Sequence, residues 1–279
     1  MALSKVELKS LRHKSEASRF YLTLFVLIPV ALLLISLVVL SFGLILLYLP
    51  FLLFFLWVAL KLFIAHHMNN SVLVTETSFP EIWDAINEAK EHFGYNKTVD
   101  AYVFEAGTYN IGLLPLLGRK ALMFNSELMA DDSDVNEKRF LVGRFVGGLA
   151  SKHYRFGWLE FLINSVEKIV IFNIVLYPYE RSVIYTGDQL GLHFIHGDTT
   201  SAVSVLTKLM VGKDIASKVN TESIIKQGYI SRGSFFSWLA RMLSPFPHTI
   251  SRVRNILEFA HRLYDQNPGD TVKHLDSNE

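Results

Sequence analysis

From Phe20 to Leu60 the chain carries no charged residue, and the apolar run continues past Lys61 to Ala65. A helix rises about 1.5 Å per residue and a bilayer core is about 30 Å thick, so a run of this length makes two crossings joined by a tight turn. Ser41-Phe42-Gly43 is the best turn, and Pro50 is placed to kink the second span. One long tilted span with a re-entrant tail is the alternative. The run is too long, and too far from any small-residue cleavage site, for a secretory signal. Lys5, Lys9, Arg12, Lys14 and Arg19 precede it against Glu7 and Glu16, which by the positive-inside rule puts that end in the cytoplasm. Two spans return the rest of the chain to the same side. The expected location is a bacterial inner membrane with a cytoplasmic domain, and the lipid bilayer is the first expected partner.

A chain of 279 residues then has about 200 left for a domain with its own core. The net charge of +1 leaves no basic surplus for phosphates, so nucleic acid is not an expected partner. Without cysteine there are no disulfides or thiolate metal sites. Asn96-Lys97-Thr98 is a glycosylation sequon, without meaning in a cytosolic domain.

Ser78-Phe79-Pro80 opens a helix whose apolar face is Ile82, Ala85, Ile86, Ala89 and Phe93, stopped by Gly94. Short strands are expected at Val72 to Thr75, Ala101 to Glu105 and Ala121 to Phe124. Asp198 caps a helix over Thr199 to Met210, closed by Gly212, and further helices follow near Phe235 to Leu243 and Thr249 to Tyr264. The stretch Trp158 to Tyr179 is apolar but carries Glu160, Glu167 and Lys168, which makes it a buried or membrane-surface helix, with bilayer insertion as the alternative. The fold class is α+β: residues 1–19 form a basic N-terminus, 20–65 a transmembrane hairpin, 70–264 a mainly helical domain with a small sheet, and 265–279 a polar, disordered tail.

Within that domain the segment EKRFLVGRFVGGLASKH, Glu137 to His153, stands where a metal helix would. The chain resembles the M48 family of membrane-associated zinc metallopeptidases from about residue 70 to 262. The segments SVLVTETSFPEIWDAINEAKEHFGY and AYVFEAGTYNIGLLPLLGRKALMFNSELM resemble the family's first strand and helix, then a strand, an asparagine-bearing loop and a second strand. The loop usually reads Asn-Ala-Phe, whereas here Asn110 is followed by Ile111 and Gly112. The family's His-Glu-x-x-His places two imidazoles at i and i+4 with a carboxylate beside the first to activate a zinc-bound water. Those positions hold Arg144, Phe145 and Gly148. Downstream, RSVIYTGDQLGLHFIHGDTTSAVSVLTKLM resembles the helix whose Glu-x-x-x-Asp motif supplies the third ligand and an orienting aspartate. Asp188 and Gly191 match, and the glutamate's place is Ile184. SPFPHTISRV resembles the Ser-x-His-Pro-Pro segment ending in Arg-Val: Pro247 and Arg252 fit, and the histidine is Phe246.

Arginine does not surrender its proton to a metal, phenylalanine is no base, and glycine has no side chain. The resemblance therefore implies a zincin-like frame without catalytic residues and without a cofactor, with Asp188 and Arg252 as remnants of the support around the metal. Zinc would return only in a divergent metalloendopeptidase with relocated ligands. Arg144 and Asp188 are expected to pair if both face the interior; otherwise Arg144 points to solvent and Asp188 bonds its own helix. Gly147 and Gly148 mark either close approach by another helix or a weakened helix.

His193 and His196 are three apart, a spacing that brings two imidazoles together, although no acidic partner completes a metal site. His153 is expected to stabilise the carbonyls at the end of its helix. In active relatives the strand before the zinc helix pairs with an extended substrate, which needs backbone and no metal. Ala121, Leu122, Met123 and Phe124 would supply that backbone here, with Tyr109 and Asn110 at the rim. The expected role is a binding, scaffold or regulatory subunit holding a protein partner or a second copy of itself. A structural subunit whose hairpin is the interface is a further alternative.

Overall fold

The computed structural model describes residues 2–41, 43–105, 111–115, 120–129, 134–153, 170–230, 236, 239, 242–244 and 246–266. It is predominantly helical, with one small sheet and two apolar helices long enough to cross a membrane. These are α2 (Glu16–Leu40) and α3 (Leu44–Asn69), separated at Gly43, whose φ of 78° belongs to the left-handed region glycine adopts at little cost. Pro29 and Pro50 lie inside them. Their apolar side chains, from Phe25 to Phe63, are largely exposed, as lipid-facing surfaces are.

A short helix α1 (Lys5–Ser10) precedes the hairpin, closed by a capping box in which the Ser4 hydroxyl accepts from the Glu7 amide and Glu7 returns the bond. It is no loose arm, because Leu8 and Leu11 are buried in the main core. After α3 come β1 (Ser71–Leu73) and α4 (Pro80–Phe93). All five residues of the anticipated α4 face are buried, and Gly94 ends the helix at φ 62°.

The sheet continues with β2 (Val99–Phe104), β3 (Ile111–Pro115) and β4 (Lys120–Asn125), in the spatial order β1-β2-β4-β3. β4 runs parallel to β2 and antiparallel to β3, with Ala101 opposite Leu122 and Gly112 opposite Met123. This corrects the expectation that Ala121, Leu122, Met123 and Phe124 offer a free docking edge. β3 folds back on β4, so both sides of the β4 backbone are already paired, and those four side chains are buried. Gly112 and Pro115 give β3 the look of a loop in the sequence. An edge strand tolerates proline at its end, where no neighbour needs its missing N–H.

The remaining elements are α5 (Val135–Ala150), α6 (Val170–Phe194), α7 (Thr199–Val211), α8 (Lys213–Ala216), α9 (Thr221–Ile230) and α10 (Thr249–Gln266). Asp198 caps α7 as anticipated, accepting from the Ser201 amide. Residues 170–179 belong to the same helix as Asp188. The rest of the stretch Trp158 to Tyr179, Tyr109, Asn110, most of Phe235 to Leu243 and nearly all of the tail lie outside the described residues. One core unites Leu8, Phe93, Phe124, Phe140, Val146, Leu190, Phe194, Leu206 and Ile256.

Candidate functional site

Helices α5 and α6 approach through glycine. A Cβ on Gly147 would lie 2.9 Å from the Leu190 Cβ, and one on Gly143 would lie 2.8 Å from the Phe194 ring. From the other side, a Cβ on Gly191 would stand 2.6 Å from the Arg144 Cγ and 2.7 Å from the Phe140 carbonyl oxygen. Close approach, rather than a weakened helix, is thus the reason for Gly147. Gly148 is buried beside it.

This contact carries Arg144 to Asp188. The Asp188 side chain is fully buried, and the Arg144 Nε lies 2.7 Å from its Oδ1. A second guanidinium comes from α10: Arg252 donates from Nε to Oδ2 at 2.8 Å and from Nη2 to Oδ1 at 2.9 Å. Arg252 makes the two-pronged hydrogen bond, whereas the Arg144 Nε contact is a charge pair whose N–H is not aimed at the oxygen. Both arginines are about nine-tenths buried, so the Asp188 carboxylate stands between two cations in a poorly solvated place. The Arg144 guanidinium also lies 5.5 Å from the Phe145 ring centre and 6.0 Å from that of Phe140. Gln189, next to Asp188, donates to Asn255 at 3.0 Å, a second polar tie between α6 and α10.

Of the residues singled out from sequence, Arg144, Asp188 and Arg252 meet, and Phe145 flanks them. Ile184 is half-buried one helical turn from Asp188. These side chains do not fit a zinc ion. Positions 144, 148 and 184 offer no ligand atom, and guanidinium nitrogens face both oxygens of Asp188. Among the described residues, no group of three or more His, Asp or Glu side chains is placed to hold a metal.

A second polar cluster, unseen in the sequence, joins the start of α2 to the ends of α5 and α6. The buried Glu16 carboxylate receives the Thr186 hydroxyl and stands 2.9 Å from the His153 Nε2 and 3.3 Å from the Arg12 Nη1. Arg12 also donates to the Ser151 carbonyl at 2.8 Å. The His153 ring therefore engages a carboxylate from the base of the hairpin, rather than the carbonyls of its own helix end. The available signal was a lone Glu16 beside the apolar run among basic neighbours. Its partners Thr186 and His153, more than a hundred residues away, leave no local pattern.

His193 pairs with His92 of α4, Nδ1 to Nε2 at 3.1 Å, and not with His196, which is exposed beyond the end of α6. Burial, then the charges of His92 and His196, push His193 down to about 4, opposed weakly by Glu7. His13, stacked on Tyr185, is likewise pushed down to about 4 by burial and then by Arg19, Lys14 and Arg262. The unfolded chain takes up these protons near pH 6.5, whereas the folded chain resists until about 4. Stability from this source is complete above that range and falls as pH drops from about 6.5 toward 4. Denaturant midpoints measured between pH 7.5 and 4.5 should decline with pH, and His193→Gln should flatten the decline.

No protein-family profile, curated protein or solved structure matches this chain.

Proposed function

We propose that this protein is a catalytically inactive, membrane-anchored relative of the M48 peptidases that serves as a binding or scaffold subunit for another protein or for a second copy of itself. The observation that carries this reading is the Arg144–Asp188–Arg252 cluster between α5 and α6. Where the family resemblance calls for a cation held by side-chain ligands, this chain supplies its own permanent cation and neutralises it with the one aspartate that remains. Such a centre holds three helices together and activates no water. An extended partner segment joins the sheet along β1 or β3, its two edges, rather than along β4.

The purified full chain, washed with chelator, should retain no stoichiometric zinc. About one zinc per chain would favour relocated ligands and an active metallopeptidase instead.

The hairpin α2 and α3 anchors the protein in a bacterial inner membrane and leaves residues 70–279 in the cytoplasm, on the strength of the basic residues before α2. Reporter fusions after Asn70 and at Glu279 should both give cytoplasmic signals. Opposite signals at the two sites would place a further crossing within residues 158–179.

A further inference from the structure

α2 and α6 run antiparallel at the base of the hairpin: Glu16 meets Thr186, the Arg19 Nη1 donates to the Pro178 carbonyl at 3.2 Å, and the Phe20 ring lies 5.4 Å from that of Tyr179. Residues 178–181 of α6 therefore stand level with the first turn of the first span. Arg181 at that level donates from Nη1 to the carbonyls of Ser244 at 3.0 Å and Met242 at 3.3 Å. The chain preceding α10 is thereby fixed beside the place where α2 leaves the domain. The Ser244 hydroxyl donates to the Phe246 carbonyl at 2.7 Å and Pro247 is buried, which ties down the turn and leaves the Phe246 side chain outward. Phe246 is 70% exposed and Leu243 42%.

We propose that Leu243 and Phe246 form an interfacial anchor that enters the headgroup–acyl boundary of the same bilayer the hairpin crosses. The inference rests on the reading of α2 and α3 as membrane spans. The occupant is lipid because Arg181 holds the backbone at Met242 and Ser244 beside residues 178–179, which pack on Arg19 and Phe20 where the apolar surface of α2 begins. Arg19 and Arg181 stand at the same level, where guanidinium groups meet anionic headgroups while their stems lie along apolar surface. Buried aromatic area at this depth, together with such charge, is what holds interfacial segments on membranes. The anchor fixes the tilt of the domain against the membrane by adding a third point of attachment to the two ends of the hairpin.

The chain has no cysteine, so a single one can carry a probe. Full-length Phe246→Cys, Leu33→Cys and Lys97→Cys proteins would be labelled with an environment-sensitive fluorophore and reconstituted into vesicles of phosphatidylcholine and phosphatidylglycerol carrying quenchers at set acyl depths. Leu33 lies exposed on α2, and Lys97 lies before β2, at the sheet end away from α3. The Leu33 probe should lose fluorescence to deep quenchers, the Phe246 probe to shallow ones, and the Lys97 probe to neither. Quenching at Leu33 without quenching at Phe246 would overturn the anchor while leaving the hairpin intact, and would point to a protein covering the patch. Absence of quenching at Leu33 as well would overturn the membrane hairpin and the anchor together.

Discussion

Asp188→Asn should destabilise the folded protein by about 3 to 5 kcal/mol, because it removes the buried carboxylate charge that the nearly buried guanidinium groups of Arg144 and Arg252 share. The asparagine keeps the shape and loses the charge, so the effect is electrostatic rather than a cavity. Replacing the whole cluster, Arg144→Met with Asp188→Leu and Arg252→Met, should cost far less, since it removes the desolvation penalty of all three ions together with their attraction. Urea unfolding of the full chain in detergent, followed through the domain, would compare them. A loss below about 1 kcal/mol for Asp188→Asn, the range of exposed ion pairs, would mean that water reaches the cluster and that it does not organise the helices.

Gly191→Ala and Gly187→Ala form the second test, two identical substitutions one helical turn apart with opposite expected signs. By helix propensity alone each should stabilise α6 by about 1 kcal/mol. At Gly187 the new Cβ meets the Arg144 carbonyl oxygen at 3.6 Å, an ordinary contact, so the gain should survive. At Gly191 the Cβ would stand 2.7 Å from the Phe140 carbonyl oxygen, a backbone atom that moves only if α5 moves. Separating α5 from α6 also stretches the Arg144–Asp188 pair. The net loss should be about 1 to 3 kcal/mol, the usual range for forcing extra volume into a packed interior. Thermal melts in one detergent would rank the variants, and a Gly191→Ala protein as stable as Gly187→Ala would refute the close approach of the two helices.

The parts of the structure legible in the sequence are those whose cause is local. The two helices long enough to cross a membrane follow from the uncharged apolar run, the turn between them from Gly43, α4 from its apolar period between Pro80 and Gly94, and the start of α7 from Asp198. The pairing of Arg144 with Asp188 came from the resemblance to the M48 peptidases, in which the aspartate orients the residue at that position, and not from a local pattern. Arg252 as the stronger partner of Asp188 was out of reach, because nothing local links positions 64 residues apart.

Strand order escaped for the same reason. Periodicity marks Ala121 to Phe124 as buried strand, but whether that strand lies at an edge depends on where β3 folds. The three-residue spacing pointed His193 toward His196, whereas α6 ends at Phe194 and the packing of α4 against that end gave His193 His92 instead.

From the residues alone follow which segments are apolar enough to leave water, where α4 ends and α7 begins, and that no side chain able to bind zinc stands at positions 144, 148 or 184. Only the tertiary structure decided which buried charges meet, how the sheet closes over β4, and that the N-terminal helix and Glu16 are bound into the domain core. Backbone propensity and hydrophobic period act over a few residues, whereas buried ions find partners wherever the whole fold removes water from both.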